Sequence, residues 1–122
     1  MKKLIISLKP PGQALADFEK ALVRAKQGER RASPHYEVSF DNRRDFERFV
    51  RNISVLVSIQ QMKPISVNEL SRMIDKDQSS LNKLIIFFEE IGVIRIEESK
   101  VQGRAVKTPK VEYDTIEFRL VA

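Results

Sequence analysis

Hydrophobic positions recur along the chain in runs whose period changes several times, and each change marks an element. Leu4–Ile5–Ile6–Ser7–Leu8 is a short apolar run stopped by Pro10–Pro11, which predicts a strand. From about Gln13, Leu15, Phe18, Leu22 and Ala25 recur at spacings of three and four, the stripe of a helix, and Gly28 is placed to end it. Ser33–Pro34 breaks the chain again. Tyr36, Val38 and Phe40 then alternate with Glu37 and Ser39, as in a half-buried strand. Residues 1–40 thus predict a strand–helix–strand unit. It is too small to bury a core of its own and is expected to pack on the rest of the chain, a second copy or another partner.

From residue 41 the period is helical. Asp41 or Asn42 can cap a helix whose first turn holds Asp45, where a negative charge suits the dipole. Phe46, Phe49, Val50, Ile53 and Val57 continue the stripe, but a span from 42 to 62 is long for one globular helix, and Asn52–Ser54 is the place for a break. Beyond Pro64, Ser66 and Glu69 have the spacing of a capping box, with Ile65 and Leu70 as the matching hydrophobic staple. Val67, Leu70 and Ile74 form the inner side of a short helix. Asp75–Lys76–Asp77 makes a polar turn, with Asp77 capping a second helix whose inner side is Leu81, Leu84, Ile85, Phe88 and Ile91. Gly92 ends that helix.

Two short helices joined by a tight turn, with a longer helix before them, form a helix-turn-helix pattern. Val93, Ile94 and Ile96 then lead to a polar tip, Ser99 to Arg104, and a return segment runs through Pro109 and Val111, a layout that reads as a wing. The run Thr115–Val121 alternates Ile116, Phe118 and Leu120 against Glu117 and Arg119. The expected fold class is α+β: a winged helix-turn-helix over residues 41–122 with the strand–helix–strand extension of residues 1–40.

Composition narrows the chemistry. The 122 residues include no Cys and one His, His35, so disulfide scaffolds, thiol nucleophiles, zinc fingers and sites needing two imidazoles are excluded. With four glycines there is no Gly-rich phosphate loop, and Glu89–Glu90 and Glu97–Glu98 fall where charges face solvent. Neither catalysis nor a cofactor is expected. The amino-terminal apolar run spans five residues, short of a secretory signal, and no stretch has the length of a membrane span, so a soluble cytoplasmic protein is expected. The formal net charge is +5, and all of it lies in residues 1–61, with 12 basic and 7 acidic side chains. Residues 62–122 carry ten of each. A basic chain suits a polyanion, most commonly nucleic acid.

On the second helix of the pair, Gln78, Ser79, Asn82 and Lys83 are expected on the exposed side, with Lys76 in the turn before it. Amides, hydroxyls and a lysine can serve base edges and phosphates. In the wing, Lys100, Gln102, Arg104, Lys107 and Lys110 are the candidate backbone contacts. Ile86 and Phe87 add apolar surface beyond the helix's own stripe and are candidates for a partner-protein contact.

These residues bring a family into view. The segment VNELSRMIDKDQSSLNKLIIFFEEIGVIRIEE, the stretch HYEVSFDN and the tail with Tyr113–Asp114–Thr115–Ile116–Glu117 resemble the MarR-like winged-helix DNA-binding proteins of halophilic archaea and bacteria. The resemblance implies a DNA-binding transcriptional regulator; binding to double-stranded DNA and repression of its own operon are expected, as is a homodimer, since a two-fold operator needs two reading helices. Some members are antitoxins of toxin–antitoxin pairs, which implies the alternative that this chain binds and neutralises a toxin protein. The chain departs from the family at Lys83–Leu84, where members carry an Arg–Asp pair, and at Ser54 or Val55, where they carry an Arg. Losing a guanidinium fork weakens base-specific reading.

Overall fold

The computed structural model describes residues 2–10 and 36–121; the expected helix from Gln13, its Gly28 cap and His35 lie outside them. The fold is mixed α+β. Its elements in chain order are β1 (Lys3–Leu8), β2 (Tyr36–Phe40), α1 (Arg43–Arg51), α2 (Ile53–Met62), α3 (Val67–Met73), α4 (Gln78–Glu90), β3 (Arg95–Val101), β4 (Arg104–Lys110) and β5 (Thr115–Arg119). The chain separates into two compact units, Met1–Arg48 with Tyr113–Ala122, and Phe49–Glu112.

The first unit is built on a three-stranded sheet in the order β2-β1-β5, with both pairings parallel. Leu4, Ile5, Ile6 and Ser7 of the central strand are buried in succession, so both faces of β1 are covered, as a continuous apolar run in a parallel sheet requires. Ser7 and Ser39 are register partners, and their hydroxyls meet at 2.9 Å. Phe46 stands edge-on to Phe40 at 5.8 Å and to Phe118 at 6.4 Å, an arrangement that suits the aromatic quadrupole. Tyr113 is buried 6.4 Å from Tyr36, and burial raises its hydroxyl pKa well above the ordinary tyrosine value.

The run Thr115–Val121, grouped by its sequence with residues 41–112, lies elsewhere. Its strand runs parallel to β1, with Ile116 beside Leu4 and Phe118 beside Ile6. A two-residue period marks a strand but does not say which strand it joins. The helical stretch after residue 42 divides at Asn52, whose N–H reaches the Phe49 carbonyl and whose carbonyl accepts from Val55, tight bonds of the three-residue kind. Asn42 caps α1 by accepting the Asp45 N–H at 2.8 Å.

The second unit places two helix ends with unusual economy of residues. Lys63 ends α2 in the left-handed region, φ 49°, and its N–H closes on the Ile59 carbonyl. Gly92, at φ 84°, follows α4; its N–H bonds the Glu89 carbonyl while Val93 N–H reaches back to Phe88, the paired bonds of a Schellman motif. Phe88 is fully buried and edge-on to Phe49 at 6.0 Å, with Val55, Leu56, Ile59, Leu70, Leu81, Leu84, Ile85, Phe87, Val93 and Ile94 also buried. The antiparallel hairpin β3–β4 turns through Gln102 and Gly103, both at positive φ (53° and 78°), the pattern of a type I′ turn. Ile65 corrects one expectation: it is 56% exposed, so it does not bury in a staple with Leu70. Its carbonyl instead accepts the Thr108 hydroxyl of β4 at 2.6 Å, which ties the hairpin to the linker ahead of α3.

Candidate nucleic-acid interface

The loop between α3 and α4 fixes where the second helix begins. Ile74 N–H closes on Leu70 and Lys76 N–H on Ser71, with Asp75 between them at φ 52°, so the chain reverses within four residues. Ser66 starts α3 by accepting the Glu69 N–H at 3.0 Å. Asp77 starts α4 by accepting the Ser80 N–H at 2.9 Å. Hydrogen bonds from Ser80 foremost, with a contribution from nearby Lys83, hold the Asp77 carboxyl below its ordinary pKa of 3.8. The carboxylate is thereby engaged as a cap, and Lys76 beside it is exposed.

Along α4 the helical period sorts the side chains cleanly. Leu81, Leu84, Ile85, Phe87 and Phe88 are buried, while Gln78, Ser79, Asn82, Lys83, Ile86, Glu89 and Glu90 are exposed. At 100° per residue Ile86 falls near the middle of the exposed arc, between the polar amino-terminal turns and the acidic carboxy-terminal one. Phe87 is a correction. It is 6% exposed and its ring lies 5.9 Å from that of Phe88, so it belongs to the core and not to a partner-facing surface. Ile86, at 54% exposure, keeps its place on the surface. Sequence could not separate the two because adjacent helical residues differ by only 100°, and the buried arc of α4 is wider than one stripe.

The hairpin divides its cations between two faces. Residues directly opposite in an antiparallel pair share a face. Lys107 is therefore opposite Glu98 and on the side of Lys100, whereas Arg104 is opposite Val101 and Lys110 opposite Arg95 on the other side. Lys110 lies 3.7 Å from Glu97, and Arg95 makes a 2.7 Å ion pair with Glu112. Lys100, Gln102 and Arg104 cluster at the exposed tip, and Lys100 and Arg104 have no acidic partner within 4 Å among the described residues. Lys107, also exposed, is likewise without an acidic partner within 4 Å among the described residues, so the cationic feature is the tip together with Lys107. The Thr108 tether is the residue role that periodicity missed, since a lone Thr in a polar hairpin carries no signal of a bond to a residue 43 positions earlier.

The profile of the HVO_A0114 family matches residues 50–118, more than half of the chain, and that span contains every candidate contact named above. The chain belongs to the HVO_A0114 family. No curated protein and no solved structure matches it significantly. Among the described residues no helix is long and apolar enough to cross a membrane, and no group of three or more His, Cys, Asp or Glu is placed to hold a metal ion.

Proposed function

We propose that this protein is a winged helix-turn-helix regulator that binds double-stranded DNA as a homodimer and represses transcription of its own operon. The observation that carries the reading is the exposed face of α4, where Gln78, Ser79, Asn82 and Lys83 stand together on the second of two helices joined by a four-residue turn. An α-helix fits the major groove, amides and hydroxyls there can pair with base edges, and the Asp77 cap keeps its charge turned to the helix amides. The Thr108–Ile65 bond supports treating β3–β4 as a wing, because it fixes the hairpin to the linker that opens the helix pair. Lys100 and Arg104 at the tip suit backbone phosphates.

The test is a binding titration on the DNA upstream of the gene across a salt series. Retention at low salt with a steep salt slope is the expected result, and no retention at low salt defeats the reading. Arg104→Ala should weaken binding to all sequences and lower the slope by about 1, the signature of one lost phosphate contact. Asn82→Ala should instead relax discrimination at one base pair by about 1–3 kcal/mol.

One observation favours a second role. Ile86 is exposed at the centre of the α4 face with Glu89 and Glu90 one turn on, an apolar and acidic patch that would repel phosphate and suit a partner protein. A toxin encoded by an adjacent reading frame is the partner this reading names. Co-expression checks it: a neighbouring product that co-purifies with the wild type and is lost with Ile86→Lys supports an antitoxin, and a product that never co-purifies removes the role.

A further inference from the structure

The sheet of the first unit has β5 at one edge. In the sheet order β2-β1-β5, one side of β5 is taken by β1, and no strand among the described residues covers the other. Open edges are normally blunted by proline, a bulge, charged side chains or shortness. β5 has no proline, and its two charges, Glu117 and Arg119, are of opposite sign and so can pair with a second copy rather than repel it; Leu120 at 98% exposure and Val121 at 84% follow. Two large apolar side chains mostly in water, next to an edge that no described strand covers, call for a cover.

We propose that this cover is the β5 strand of a second copy, paired antiparallel across a two-fold axis that passes through Phe118, so that two three-stranded sheets join into one of six. This rests on the homodimer of the preceding reading and assigns its contact surface. The argument is the order of residue types about Phe118. An antiparallel pairing about a two-fold perpendicular to the sheet must join residues that share a face, so the axis can pass only through a residue, never between two. With the axis at Phe118, Glu117 faces Arg119 of the second copy, Ile116 faces Leu120, Thr115 faces Val121, and the two Phe118 rings face each other. With the axis at Glu117 two carboxylates are opposed, and with it at Arg119 two guanidinium groups are opposed. Of these three registers only that at Phe118 pairs opposite charges, and it also sets apolar against apolar from Ile116 to Leu120, with Thr115 against Val121 the one mixed pair.

The surroundings agree. Glu117 already lies 3.3 Å from Lys3 and 3.6 Å from Arg119 of its own strand, so the second copy's Arg119 would extend an existing row of alternating charge. On the opposite face Phe118 is 40% exposed although its ring meets Phe46, and the facing Phe118 would cover the remainder. Unpaired backbone groups on the outer edge would gain partners at the same time.

Sedimentation of the full chain at tens of micromolar tests the assignment. The wild type is expected to be a dimer; a strictly monomeric wild type overturns the homodimer reading and this surface with it. Arg119→Glu opposes carboxylates at both ends of the pairing and should raise the dimer dissociation constant roughly tenfold or more. Glu117→Arg opposes guanidinium groups and should do the same. A one-to-one mixture of the two variants restores both pairs and should return a heterodimer. If Arg119→Glu dimerises as the wild type does, or if the mixture of folded variants stays monomeric, the β5 surface is wrong while a dimer through another surface stands. Register has its own readout, because the chain contains no cysteine. Phe118→Cys should form a disulfide-linked dimer under mild oxidation, since partners at the axis lie within bridging distance, and Leu120→Cys should not. The reverse outcome overturns the proposed axis.

Discussion

The two units of this chain are assembled in opposite ways. Phe49–Glu112 is a continuous stretch in which helices follow one another through short turns and the only sheet is a hairpin with a two-residue loop. The other unit draws its three strands from positions 3–8, 36–40 and 115–119, and its parallel pairings cannot be made by any hairpin. The first design closes through short turns, although its core and its tether still join residues as far apart as Phe49 with Phe88 and Ile65 with Thr108. The second depends on closing a loop of more than one hundred residues before β5 can meet β1, and among the described residues it leaves β5 as an edge. The contrast teaches where each kind of signal resides: local chemistry builds the α4 face, and long-range pairing places β5 beside β1.

The strongest way to break the comparison is to cut the core of one unit. Phe88→Ala removes a fully buried ring that stands edge-on to Phe49 and should cost about 3–5 kcal/mol in a denaturant titration. Its chemical-shift changes should be largest within residues 49–112. Ile6→Ala, in the fully buried centre of β1, should cost about 2–5 kcal/mol with the largest shifts among β1, β2 and β5. If both substitutions perturb the same set of residues, the division into two units does not describe the energetics.

A pair of serines sharpens the comparison at a smaller scale. Ser66→Ala removes the cap of α3 and should destabilise by about 1 kcal/mol. Ser7→Ala removes the bond to Ser39 across the parallel sheet, but Ser39 is exposed and its hydroxyl can turn to water, so the cost should be about 0.5 kcal/mol. Thermal melts of the two variants decide whether the local cap outweighs the long-range bond.

The smallest effects are titrations, one in each unit and of opposite sign. The Asp77 carboxyl is held below 3.8 in the folded chain, so its contribution is present above that value and is lost as pH falls through the lowered one. Amide exchange at Ser80 should accelerate there, and Asp77→Asn should remove that pH dependence while keeping a cap. Tyr113 has a raised pKa, so its contribution is present below the ordinary value of 10.0 and declines as pH rises above it. Tyr113→Phe should flatten the alkaline limb of a stability–pH profile.

What the sequence determined by itself is local. The caps at Ser66 and Asp77, a cap at Asp41 or Asn42, a break within Asn52–Ser54, the helix end at Gly92 and the exposed run Gln78, Ser79, Asn82 and Lys83 follow from patterns spanning four or five residues, which the order of side chains contains; the folded chain selects Asn42 and Asn52. The tertiary structure decided what separations of tens of residues carry: the place of β5 beside β1, the Thr108–Ile65 tether, the separation of buried Phe87 from exposed Ile86, and the allocation of hairpin cations to two faces. A two-residue or 3.6-residue period states that a face exists. Which surface covers that face depends on chain closure and on competition among all other faces, and that is settled only when the whole chain packs.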